Sequence, residues 1–169
     1  MERTLTNDDF ENTIDKYSDM LYRTCFLMLR NKQDAEDVMQ DTFIYYMTSN
    51  VGFVSEEHKK AWLLKVSQNK CKNVLRFHKM HSHTSYEELE ETLPGHVKID
   101  DCEVEELFRI AELNYKYKSV VMLHYIEGYN VNEVADILNI SASAVKMRLK
   151  RAREILKKTY EKIYEREVN

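Results

Sequence analysis

Residues 130–158 read NVNEVADILNISASAVKMRLKRAREILKK, and this stretch restricts the possible folds more than any other. Asn130 followed three residues later by Glu133 is a capping-box start for a helix. Val131, Val134, Ala135 and Leu138 recur at helical spacing and form its inner face. Asn139 can adopt the left-handed conformation that ends a helix. Ile140 is placed to plug the corner, and Ser141 to cap a second helix. Val145, Leu149, Ala152 and Leu156 line the buried side of that second helix. A short helix, a tight turn and a second helix make a helix-turn-helix. The opposite face holds Ser143, Met147, Lys150 and Arg151, flanked by Lys146. Short and basic side chains on the N-terminal half of such a helix suit the major groove of DNA. A lysine-rich outer face in a helical bundle also explains the charge. It does not explain the cap, turn and cap spacing that comes with it.

The rest of the chain agrees with a helical fold. Only 3 glycines and 1 proline occur in 169 residues, too few for a fold built on tight turns. The length allows one ordinary domain or two small ones. With 43% hydrophobic and 32% charged residues, the composition is that of a globular protein. No apolar run is long enough to span a bilayer. The start, MERTLTNDDFENT, is polar and acidic, unlike a signal peptide. Cys25, Cys71 and Cys102 are odd in number and widely spaced, which suits a reducing cytoplasm and small buried or linker thiols.

The net charge of -4 conceals strong local differences. Residues 1–55 are acidic. Residues 56–79 are basic, through Lys59, Lys60, Lys65, Lys70, Lys72, Arg76 and Lys79. Residues 80–106 are very acidic, and the tract from Lys146 is basic again. Two basic surfaces separated by an acidic strip point to two contacts with a polyanion. Apolar periodicity is weakest across the acidic strip, which holds Pro94 and Gly95. It is expected to be a flexible linker over residues 81–103, between domains at 1–80 and 104–169.

Helical spacing predicts helices over residues 10–29 and 34–47, with a break at Asn31 and Lys32. In the second helix Ala35, Val38, Met39, Thr42 and Tyr46 share one face. Asp37, Gln40, Asp41 and Ile44 share the other. An isoleucine among acids fits either a solvated face or a docking surface with an apolar centre. Residues 48–57 read as a loop, and a long helix follows. Along it Lys65, Asn69, Lys72, Arg76 and Lys79 form a basic stripe, with Trp62, Leu63, Val66, Val74 and Phe77 on the other side. The stripe is a solvated cationic face or a surface for a nucleic-acid backbone. Helices over 104–113 and 116–126 complete the second domain.

Three motifs in order resemble one known family. DAEDVMQDTF (residues 34–43) resembles the polymerase-binding helix of bacterial sigma factors. AWLLKVSQNKCKNVLR (61–76) resembles the adjoining segment that meets the −10 promoter element. LNYKYKSVVMLHYIEGYNVNEVADILNISASAVKMRLKRAR (113–153) resembles their fourth region, which reads the −35 element. The two-region layout resembles the group-4, or extracytoplasmic-function, sigma factors of the sigma-70 family. The resemblance implies an all-α fold of two small helical domains, a region 2 bundle and a region 4 helix-turn-helix. It implies that Asp37, Gln40, Asp41 and Ile44 bind the β′ clamp of core RNA polymerase, with Phe43 turned inward as packing. It implies that Lys65, Asn69, Lys72, Asn73 and Arg76 bind the −10 non-template strand, and that a residue within 50–57 accepts a flipped base. Ser143, Lys146, Met147, Lys150 and Arg151 match the −35-reading face. Further implied partners are the β flap, promoter DNA and an anti-sigma factor, often membrane-bound in this family. Asn114 stands where the family often has proline, and asparagine can cap a helix. Met147 stands where a small polar residue is common, and it can contact a thymine methyl.

Other classes find less support. No glycine-rich phosphate loop and no catalytic triad motif is present, so the chain is not expected to be an enzyme and needs no cofactor. His78, His81 and His83, with His96 or Cys102, are the one candidate metal cluster, and solvated histidines explain them equally. A stand-alone helix-turn-helix regulator accounts for the second domain and leaves Asp37, Gln40, Asp41 and Ile44 without a role.

Overall fold

The computed structural model describes residues 6–81, 110 and 112–167. The described residues are helical and include no strand. The chain divides into two compact units, Met1–Lys98 and Ile99–Asn169.

The first unit is a bundle of α1 (Asn7–Leu29), α2 (Lys32–Thr48) and α3 (Glu56–His81). Thr6 caps α1 by accepting from the Asp9 amide, so the helix starts earlier than periodicity alone predicts. Arg30 ends α1 in the left-handed conformation, with φ 50°, and its amide donates to the Phe26 carbonyl. Asn31 then caps α2 through the Asp34 amide. The break expected at Asn31 and Lys32 is thus one residue of cap, and Lys32 already belongs to α2.

Tyr17 and Leu21 from α1, Phe43 and Tyr46 from α2 and Leu63 from α3 share the core, with Phe10, Ile14, Met20, Met39, Phe53 and Trp62 packed against them. Cys25 and Cys71 are buried free thiols. Within α2 the wheel holds: Ala35, Val38, Thr42 and Tyr46 are buried, and so is Phe43. In α3 the buried line runs through Leu63, Leu64, Ser67, Gln68 and Cys71. Trp62, Val66 and Val74 are only partly buried. Phe77, expected on the packed side, is 59% exposed. On the helix it lies closer to Trp62 and Asn73 than to Leu64 and Cys71, and α1 and α2 cover only the latter side.

The second unit comprises α4 (Tyr115–Val121), a π-helical turn (Met122–Ile126), α5 (Val131–Leu138) and α6 (Ala142–Glu167). Asn114 caps α4, its side chain accepting from the Tyr117 amide at 3.3 Å, as the substitution for proline required. The helix expected over 116–126 widens into the π turn, where Glu127 N–H bonds the Met122 carbonyl. Gly128, at φ 79°, follows at once. Val120, Val121, Met122 and Leu123 meet Val134, Ala135 and Ile137 of α5 and Val145, Leu149 and Ala152 of α6 in the buried set. Ile137 was missing from the expected inner face, whereas Val131, Leu138 and Leu156 are partly exposed. The linker, apart from His81, lies outside the described residues, and so does most of the helix expected over 104–113. His81 belongs to α3.

Candidate nucleic-acid interface

The loop between α2 and α3 is held at both ends by aromatic and ionic contacts. Phe53 meets Trp62 edge-on at 5.5 Å and stacks on Tyr46 at 6.0 Å. His58 packs edge-on against Phe53 at 5.5 Å. At the loop's exit, the Glu56 carboxylate accepts from Lys16 Nζ at 3.0 Å and from Tyr17 Oη at 3.0 Å, both on α1, and pairs with Lys59 at 2.6 Å. Hydrogen bonds from Lys59 and then Lys16 lower its pKa from 4.5 to about 2, against an opposing contribution from burial. Glu56 and Glu57 therefore open α3 and anchor it. Of the expected base-accepting segment 50–57, only residues 50–55 form loop.

An open groove of about 380 Å³ lies beside that loop, lined by Tyr45, Trp62, Lys65, Val66, Asn69, Lys70 and Asn73. Tyr45 is stacked nearly parallel on Trp62, and Lys70 Nζ lies 5.8 Å from the centre of the Tyr45 ring. Aromatic faces, two side-chain amides and two ammonium groups can stack a base, bond its edge and neutralise its phosphate. Lys65, Asn69 and Asn73 of the expected site line this groove. Lys72 and Arg76 are exposed but outside its lining. Sequence reading missed Tyr45 and Lys70. Tyr45 belongs to α2, and only the packing of two helices brings it over Trp62. Lys70 was counted in the basic tract but falls off the stripe.

On α2, Asp37, Gln40, Asp41 and Ile44 are exposed together, and Ile44 is 53% exposed. Gln33 Nε2 donates to Asp37 Oδ1 at 3.0 Å, which orients that carboxylate. Met47, 49% exposed and one turn on from Ile44, enlarges the apolar centre of this face.

The helix-turn-helix is capped at each joint. Asn130 and Glu133 form a reciprocal capping box, with bonds of 2.8 Å and 3.0 Å. Asn139 is left-handed at φ 53°, and the Ile140 amide reaches back to the Ala135 carbonyl. Ser141 Oγ accepts from the Ala144 amide at 3.1 Å. These contacts turn α6 so that Ser143, Lys146, Met147, Lys150 and Arg151 are all exposed. Met147 is 65% exposed. Arg151 Nη1 donates to Glu154 Oε2 at 3.1 Å, so part of its charge is already answered.

The histidines have protein partners. His78 donates to Asp34 at 2.8 Å and His81 to the Phe77 carbonyl at 2.9 Å. His83, His96 and Cys102 lie outside the described residues. No helix among the described residues is long and apolar enough to cross a membrane.

Residues 13–80 match the Sigma-70 region 2 family, and residues 107–156 match Sigma-70, region 4. ECF RNA polymerase sigma factor SigM of Bacillus subtilis is 30% identical over 150 residues, covering 85% of this chain and 90% of the relative. ECF RNA polymerase sigma factor SigW of the same organism is 29% identical over 166 residues, covering 89% and 88%. The fold is similar to that of the sigma factor RpoE from Bartonella quintana, solved with the anti-sigma factor NepR, at a TM-score of 0.73, 19% identity and coverage of 91% and 98%. It is also similar to CnrH, solved with the cytosolic domain of CnrY, at a TM-score of 0.65, 21% identity and coverage of 92% and 90%. Region 2 followed by region 4, with full-length relatives at this identity, shows that the chain belongs to the extracytoplasmic-function sigma factors of the sigma-70 family.

Proposed function

We propose that this sigma factor gives core RNA polymerase its promoter specificity through three surfaces. The exposed face of α2, with Asp37, Gln40, Asp41 and Ile44, docks on the β′ clamp. The groove of α3, with Lys65, Asn69 and Asn73 inside and Lys72 and Arg76 beside it, holds the melted non-template strand of the −10 element. The face of α6, with Ser143, Lys146, Met147, Lys150 and Arg151, enters the major groove at the −35 element while its unit meets the β flap. The protein works by binding, not by covalent chemistry, and acts in the cytoplasm. An anti-sigma factor is a fitting regulator, since the similar folds of RpoE and CnrH were solved with such partners.

One observation supports this reading above the others. A single chain carries both a stacking groove suited to single strands and a capped, basic helix suited to a duplex. Promoter opening needs both, in that order along the chain. A stand-alone repressor needs only the second, and it leaves the α2 face and the α3 groove unused. Footprinting of the chain assembled with core polymerase tests the proposal. Duplex protection near −35 together with permanganate-reactive thymines near −10 is the expected pattern. Protection near −35 without melting, or binding that is independent of core enzyme, contradicts it.

A further inference from the structure

A second aromatic stack stands at the far end of α3. Phe77 is largely exposed, and its ring lies 4.1 Å from that of His81 with 25° between the planes. His81 Nδ1–H donates to the Phe77 carbonyl, which holds the imidazole over the phenyl ring. This pair adds nothing to the core, whose line on α3 runs through Leu63, Leu64, Ser67, Gln68 and Cys71. At about 100° per residue, Trp62, Val66, Asn69, Asn73 and Phe77 share one stripe about 80° wide. The groove lining therefore continues along the helix to Phe77. Exposed Lys65, Lys72 and Arg76 border the stripe on one side, and part-buried Lys70 on the other.

We infer that Phe77 and His81 form a second base-stacking platform for single-stranded DNA, at the opposite end of the track that begins at Tyr45 and Trp62. The inference rests on the reading of α3 as the single-strand surface. Charge decides the occupant: a polyanion matches cations bordering the whole stripe, and bases match the aromatic ends and the two amides between them. Fifteen residues separate Trp62 from Phe77, a distance of about 22 Å along the helix. That is roughly six nucleotides at the stacked rise of about 3.4 Å, and fewer where the strand is pulled out.

The test uses the full chain assembled with core RNA polymerase, and oligodeoxythymidines graded from about three to about eight nucleotides around that span. Affinities are measured above the core-only background, and oligonucleotides carrying 5-iododeoxyuridine are cross-linked and mapped. Long oligonucleotides are expected to cross-link at Phe77 or His81. Phe77→Ala is expected to weaken them about tenfold and to leave the shortest unchanged, within the range of one lost base stack. Phe77→Trp is expected to restore binding. Loss with Lys65→Ala but none with Phe77→Ala overturns this inference and leaves the −10 reading standing. No loss with either overturns both. Weakened assembly with core enzyme in Phe77→Ala, at unchanged oligonucleotide affinity, marks a protein contact and also overturns the inference.

Discussion

Tyr45 of α2 lies parallel to Trp62 of α3, with ring centroids 5.5 Å apart and 10° between the planes. This pair forms one wall of the groove, and Tyr45 keeps 49% of its surface open to solvent. Stacking on an exposed, pre-oriented aromatic face contributes about 1–3 kcal/mol per base. Tyr45→Ala should therefore reduce open-complex formation by about tenfold with little loss of fold. Tyr45→Phe should retain activity, because the ring face is what matters. Fluorescence of 2-aminopurine placed in the −10 non-template strand reports the difference.

The α2 face predicts a separable defect. Asp41 is exposed and makes no contact that the core requires. Asp41→Lys should abolish assembly with core polymerase while leaving the melting temperature of the free protein almost unchanged. Size-exclusion chromatography with core enzyme and thermal unfolding together check this. Normal assembly by the variant removes the docking assignment.

On α6 the two neighbouring cations should not be equal. Arg151 is paired with Glu154 at 3.1 Å, whereas no such partner was found for Lys150. Replacing both by alanine should weaken promoter binding and flatten the dependence of log K on log salt by up to about two units, one for each phosphate released. Lys150→Ala alone should account for the larger part. An unchanged salt slope in the double variant rules out a phosphate role for this face.

Acid should loosen the junction of α1 and α3. The Glu56 pKa is lowered to about 2, chiefly by Lys59 and Lys16, so the folded state favours the carboxylate. That stabilisation is fully present above the ordinary value of 4.5 and is lost as pH falls from there toward about 2. Glu56 is half exposed, so solvent screening limits the contribution to about 1 kcal/mol. Glu56→Gln should be less stable than the parent at neutral pH, and the two should converge below about pH 3. Denaturant titrations at several pH values measure the gap. A constant gap down to pH 2 contradicts the assignment.

The capping box is a local stability test. Asn130→Ala removes the acceptor for the Glu133 amide and should cost about 1 kcal/mol in the second unit. Hydrogen exchange of α5 amides localises the effect. Equal exchange in α1–α3 shows that it stays within its own unit.

Much of the architecture was legible because its signals are local. Caps at Asn130, Asn139 and Ser141 and the two faces of α2 follow from short-range periodicity and side-chain chemistry. What escaped is set by partners distant in sequence. Phe77 reads as a core residue until the helices that could bury it are seen to lie on another side. Tyr45 reads as one more tyrosine until α3 brings Trp62 beneath it. Glu56 reads as loop because its anchors, Lys16 and Tyr17, are on α1. The π turn at Met122–Ile126 carries no periodicity signal of its own, since one extra residue per turn leaves the apolar run unbroken.

The central claim is that this chain makes core RNA polymerase promoter-specific. Run-off transcription of genomic fragments by core enzyme, with and without the purified chain, tests it most directly. Discrete transcripts that require the chain, with start sites sharing common −10 and −35 sequences, are the predicted result. The same scattered initiation with and without the chain contradicts the account.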